Sequence, residues 1–231
     1  MKNYDFIFLN RNWAIDKSYM IDQFNRLNKK NPLKHWLLIF PEGTNLSANT
    51  RGKSDKFADK IGYTDKLKHI LLPRVKGFYT ACKYLSPTTN KIYDLTIAYS
   101  DHTPQEYAQD IFTLSRIYLF GKGPTEVRLN INEITFDEIT NCKLTNETLS
   151  EAEDDKQMDS FEKWLIKLWE GKDKQMDNYY KLGKFSPGQT EFKINLGLRS
   201  NLELLNVYII PVLALSLSWL LFKFVKYASG L

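Results

Sequence analysis

Cysteine is nearly absent from this chain, and its absence closes off several kinds of protein. The two cysteines, Cys82 and Cys142, lie far apart and match no metal-ligand spacing, so free thiols in a reducing compartment are expected and no metal centre is. Arginine-rich runs and RNA-binding aromatic patterns are missing as well. A net charge of +5 on 231 residues is too mild to argue for nucleic acid. It suits a face turned towards anionic lipid or a phosphorylated ligand. The start, Met1-Lys2-Asn3-Tyr4-Asp5, lacks the long apolar core of a signal peptide. No internal repeat is visible. What remains is ordinary for one globular domain with a sizeable core, 43% hydrophobic and 26% charged.

The most informative stretch is Leu37-Leu38-Ile39-Phe40-Pro41-Glu42-Gly43-Thr44. Its apolar run suits a strand covered on both faces. Pro41 then removes a ladder donor, and Gly43 permits a close backbone approach or a positive φ. Glu42 is held between them beside the Thr44 hydroxyl, where α/β folds carry chemistry; a plain polar turn is the competing explanation.

Around it, 4–9 is strand-like, and Met20, Ile21, Phe24 and Leu27 are spaced for a helix face capped by Asp16 or Ser18. With 36–40 as the next strand, this strand-helix-strand order predicts a right-handed crossover. The expected fold is therefore α/β, a mostly parallel central sheet flanked by helices. Residues 45–60 read as a basic loop leading into a short helix. There Lys53 and Lys56 belong to a solvated face, or else attract the phosphates of a ligand. Residues 77–85 are helical, and 93–99 and 126–134 alternate as strands. Residues 145–156 form an acidic surface segment, and Asp159-x-x-Glu162 opens a helix. Phe161, Trp164, Leu165, Leu168 and Trp169 form its core stripe. Residues 204–222 are uncharged, roughly 28 Å of helix at 1.5 Å per residue. They predict a C-terminal transmembrane helix or re-entrant anchor. The domain reading is 1–182, a connector over 183–203, and the anchor over 204–222.

Three blocks stand in order: Phe6-Ile7-Phe8-Leu9-Asn10-Arg11, Phe40-Pro41-Glu42-Gly43-Thr44, and Leu71-Leu72-Pro73-Arg74. This order resembles the glycerolipid acyltransferase family, whose members esterify lysophospholipids from acyl-CoA. The likeness is closest to the lysophosphatidylinositol and lysocardiolipin acyltransferase branch. It shows in Arg-x-Trp-x-x-Asp-Lys (Arg11, Trp13, Asp16, Lys17) and Leu-x-Pro-Arg-x-x-Gly-Phe (Leu71, Pro73, Arg74, Gly77, Phe78). It continues in Asp94-x-Thr-x-Ala-Tyr (Thr96, Ala98, Tyr99) and covers most of 4–185.

The resemblance implies an acyl-CoA:lysophospholipid O-acyltransferase of phospholipid remodelling, with lysophosphatidylinositol as acceptor. A lysophosphatidic acid acyltransferase and a non-catalytic lipid-binding form are the alternatives. It implies acyl-CoA as co-substrate and no cofactor or metal. The expected setting is the endoplasmic reticulum membrane, with the domain facing the cytosol. By resemblance Arg11 takes the acceptor phosphate, for which its planar charged fork is suited. Glu42, Gly43 and Thr44 shape the same pocket, and Pro41 and Pro73 set the backbone course.

The family's general base is a His-x-x-x-x-Asp motif ahead of the arginine block. The three histidines, His35, His69 and His102, are followed five positions on by Phe40, Arg74 and Tyr107. None is Asp. The expectation is a chain lacking the N-terminal part of its family's catalytic domain and inactive on its own, with no catalytic residue present.

Overall fold

The computed structural model describes residues 6–10, 12–29, 36–139, 149–188, 190–197, 200 and 202–228. The chain divides into two units, Met1–Gly188 and Gln189–Leu231.

In the first unit, α1 (Trp13–Lys29) forms where Met20 and Phe24 recur on one buried face. Asn12 opens it, its Oδ1 accepting from the Ala14 N–H at 3.1 Å. Asp16 is therefore not the cap that the sequence suggests. It lies buried in the first turn and accepts from the N–H of Asn10 (2.8 Å) and of Asn12 (3.1 Å), folding the incoming chain back onto the helix.

Helix α2 (Ala48–Lys60) is longer than expected, because Ser47 and Thr50 form a reciprocal capping box. Helix α3 (Val75–Leu85) is apolar on two sides. Ala81 and Leu85 pack with Met20 and Phe24 of α1. Phe78, Tyr79 and Cys82 face the other way, onto Phe161, Leu165 and Trp169. Burial pushes the Cys82 thiol pKa up, which leaves it inert; Cys142 lies outside the described residues.

Strands β1 (Lys91–Tyr99) and β2 (Val127–Thr135) pair antiparallel, with Leu95 opposite Ile131 and Ile97 opposite Leu129. Their connection carries two short helices, α4 (Ala108–Ile111) and α5 (Leu114–Tyr118). The turn α6 (Phe136–Ile139) follows β2. Alternation turns Asp94, Thr96, Ala98, Asn130 and Ile134 inward and leaves Leu95, Ile97, Leu129 and Ile131 exposed.

Helix α7 (Glu151–Leu182) buries Phe161, Leu165, Trp169, Lys172 and Met176 along one face. It starts at Ser150 rather than Asp159. Ser150 and Glu153 form a capping box, and Glu151, Glu153 and Asp154 favour the positive end of the helix dipole. The acidic stretch is therefore helical from Glu151, while 140–148 lies outside the described residues. Gly183 closes α7 with φ +69°, its N–H donating to the Tyr179 carbonyl.

Two expectations about the fold class are overturned. Among the described residues there is no parallel central sheet: the sheet is two-stranded and antiparallel, in a mostly helical chain. Neither 6–10 nor 36–40 joins it. An apolar segment becomes a strand only beside a partner that takes up its backbone groups. Here Ile39 alone of Trp36, Leu37, Leu38, Ile39 and Phe40 packs against the core, and the others are exposed.

The second correction concerns the anchor. Residues 204–222 lie in α8 (Leu202–Ala228) of the second unit, with Pro211 inside the helix. Among the described residues, no helix is long and apolar enough to cross a membrane.

Candidate functional site

The site begins with a tight turn. The Gly43 N–H donates to the Phe40 carbonyl at 2.9 Å, and Gly43 adopts φ +70°. A side chain there would strain the backbone by roughly 1–2 kcal/mol. This turn brings the chain alongside the third block: the Arg74 N–H donates to the Pro41 carbonyl at 2.7 Å. Pro73 between them is fully buried.

Helix α2 supplies the facing wall. Thr50, Lys53, Ser54 and Phe57 follow one another at i, i+3, i+4 and i+7, which puts them on one helix face. Ser54 Oγ accepts the Leu72 N–H at 3.0 Å. The Arg51 guanidinium donates to the Leu67 (2.8 Å), Ile70 (2.7 Å) and Lys68 (2.8 Å) carbonyls. These bonds fasten α2 against 67–72.

Between the walls lies a cavity of about 50 Å³, lined by Glu42, Thr44, Lys53 and Arg74 among others. At 10–15 Å³ per water position it holds a few waters or an anionic head group, and it is too small for a whole lipid. Neither Lys53 nor Arg74 forms an ion pair among the described residues. The Arg74 guanidinium rests over the Phe57 ring, 5.7 Å from its centroid, which orients the fork without neutralising it.

Glu42 is the half-buried acid of the site. Its carboxylate accepts from the Trp169 indole N–H at 3.4 Å and from the Leu71 N–H. Burial raises its pKa above the ordinary glutamate value, against the pull of Trp169, Leu71, Lys172 and Arg51. Behind Trp169, the Lys172 ammonium lies 5.2 Å from the indole centroid and 2.5 Å from Asp94 Oδ1.

The sign of the pH effect follows. A carboxyl whose folded pKa is raised binds more protons folded than unfolded between the two values. Its contribution is full below about pH 4.5 and is lost as pH rises through the folded value. Glu42→Gln is therefore expected to flatten the stability-pH curve on the alkaline side of that point. At pH 7 it should be no less stable than the parent. Urea midpoints of both proteins at pH 4 and pH 7 check this.

Of the residues singled out in the sequence, Glu42 and Thr44 line the cavity, and Pro41, Gly43 and Pro73 shape its backbone. Arg11 and His35 lie outside the described residues. Arg74 and Lys53 emerge here as cavity cations. Their signal in the sequence was weak, an arginine closing an apolar block and a lysine in a basic stretch. Trp169 looked like core alone, because nothing in a helical stripe marks which indole N–H meets a distant carboxylate. His69 stands by Asp177 (3.4 Å) and His102 by the Tyr180 hydroxyl (3.1 Å), and neither lines the cavity. Among the described residues no three His, Cys, Asp or Glu side chains gather as a metal site requires.

The chain is 34% identical to a 2-acyl-1-lysophosphatidylinositol acyltransferase of Saccharomyces cerevisiae, over 96% of this chain and 60% of that protein. It is 31% identical to a lysocardiolipin acyltransferase 1 of Gallus gallus, over 78% of this chain and 41% of the relative. A lysophosphatidylinositol acyltransferase 10 of Caenorhabditis elegans is 30% identical over 83% of this chain and 43% of its own length. The chain thus spans about half the length of the curated relatives it matches. No family model matches it. No solved structure matches it.

Proposed function

The chain belongs to the glycerolipid acyltransferase family, in the branch of lysophosphatidylinositol and lysocardiolipin acyltransferases, and from that premise we propose that it receives a lysophospholipid acceptor. The reaction would pass a fatty acyl group from acyl-CoA to the free glycerol hydroxyl, at the cytosolic face of the endoplasmic reticulum membrane. Lysophosphatidylinositol is the favoured acceptor. The observation that carries this reading is the cavity walled by Glu42 and Thr44, with Lys53 and Arg74 lining it and unpaired among the described residues. Two cations with no carboxylate partner suit a phosphodiester, whose oxygens accept charge-assisted hydrogen bonds. Arg11 joins them by resemblance.

A second reading rests on a different observation. The sequence contains no His-x-x-x-x-Asp. Glu42 is committed to Trp169 and the Leu71 N–H, which suits a wall of the pocket better than a base. On this reading the polypeptide by itself holds acceptor and donor without turning them over.

Binding tests the shared part. Titration of short-chain lysophosphatidylinositol into the purified chain is expected to give saturable binding. Arg74→Ala should weaken it roughly 10–100-fold, the loss of a hydrogen bond to a charged group. Lysophosphatidic acid as competitor separates a phosphomonoester from a phosphodiester preference. A folded Arg74→Ala protein that binds as the parent does would remove Arg74 from the site.

A further inference from the structure

The connection between β1 and β2 ends in an apolar tip that the cavity chemistry leaves unused. Leu114, Tyr118, Leu119 and Phe120 are 75%, 80%, 77% and 67% exposed, four large side chains within seven residues. Isolated exposed apolar residues are common on soluble proteins, but a contiguous cluster at this exposure marks a surface built to meet something.

The tip is held in this shape. Thr113 caps α5, its hydroxyl accepting from the Arg116 N–H at 3.3 Å. The Ile117 N–H donates to the Thr113 carbonyl (3.0 Å), Leu119 to Ser115 (2.9 Å) and Lys122 to Arg116 (2.8 Å). Ile111, Phe112 and Ile117 are half-buried on the inner side, where the Phe112 ring meets those of Tyr99 and His102. The segment has sorted its apolar residues into an inner set that anchors it and an outer set that projects.

Charge decides the occupant. Arg116 and Lys122 flank the outer set, both exposed and neither in an ion pair among the described residues. No carboxylate occurs between Asp110 and Glu126. Apolar side chains projecting past a rim of one positive sign match a lipid surface, hydrocarbon beneath anionic head groups. Tyr118 suits the boundary, with an apolar ring and a polar tip.

We propose that the tip of the β1–β2 connection inserts Leu114, Tyr118, Leu119 and Phe120 into the interface of an anionic lipid surface, with Arg116 and Lys122 on its head groups. This is shallow insertion, and it does not depend on the proposed reaction. It would hold the first unit at the surface where a lysophospholipid resides.

The test is a depth reading at the tip, in the full chain. Leu119→Cys in a Cys142→Ser background carries an environment-sensitive fluorophore, and Lys60→Cys on exposed α2 carries the same label as control. Vesicles of phosphatidylcholine, with or without phosphatidylserine, are added. At residue 119 the emission should shift to the blue and be quenched by lipid brominated in the acyl chain, with little change at residue 60. Arg116→Gln with Lys122→Gln should weaken the response on anionic vesicles by about 25-fold, roughly fivefold per cation. A residue 119 label that stays in water while the chain sediments with vesicles would overturn the proposal. So would a chain that leaves vesicles untouched, or a label that responds to added protein and not to lipid.

Discussion

Lys172→Met is expected to destabilise the first unit by about 3–5 kcal/mol, the usual cost of breaking a buried ion pair from one side. The Lys172 and Asp94 side chains are each 8% exposed and meet at 2.5 Å. Lys172 also donates to the Leu95 carbonyl at 2.7 Å and to Thr96 Oγ1 at 3.3 Å, so its three donors are all engaged. Asp94 is less well supplied, because its Oδ2 has no hydrogen-bond partner among the described residues. Without the ammonium, that carboxylate stays buried with nothing to balance it. Asp94→Asn with Lys172→Met removes both charges and should recover much of the loss, since an uncharged pair in the same space carries no charge to desolvate. Urea unfolding of the parent, the single variant and the double variant decides this. A loss under about 1 kcal/mol for Lys172→Met would mean that the pair behaves like an exposed one. The same substitution reaches the cavity, where Lys172 helps hold the Glu42 carboxylate charged and lies against the Trp169 ring.

Acyl transfer from acyl-CoA to lysophosphatidylinositol by this polypeptide alone is expected to run roughly 10²–10⁴-fold below that of a relative carrying His-x-x-x-x-Asp, the usual worth of a general base. The acceptor hydroxyl must lose its proton as it attacks the thioester, and the described histidines are occupied elsewhere. His69 packs its ring against Tyr180 and faces Asp177, and His102 meets the Tyr180 hydroxyl. A radiolabelled acyl-transfer assay on purified chain and relative checks the ratio. Activity within tenfold of the relative, abolished by a His35 substitution, would sink the expectation and make His35 the base.

Much of the site was legible as composition. Pro41, Glu42, Gly43 and Thr44 announced a turn beside a carboxylate, and the structure has that turn, closed by Gly43 at φ +70°. The stripe of Phe161, Leu165 and Trp169 announced a buried helix face, and these residues are buried. Helix starts were harder, because capping signals compete. Ser150 and Glu153 prevail over Asp159, and Asn12 over Asp16, and the choice depends on what each side chain finds around it.

The sequence by itself determined the order and spacing of the blocks and the family to which they belong, because these are properties of residue type and position along the chain. Tertiary structure decided what those blocks touch. Arg74 pairs with Pro41 across 33 positions, Trp169 with Glu42 across 127, and Lys172 with Asp94 across 78. It also decided that, among the described residues, 36–40 pairs with no strand and that β1 and β2 run antiparallel. Periodicity states which face of a segment is apolar. It does not name the partner of that face, because pairing depends on distance in space and on which backbone groups remain to be satisfied.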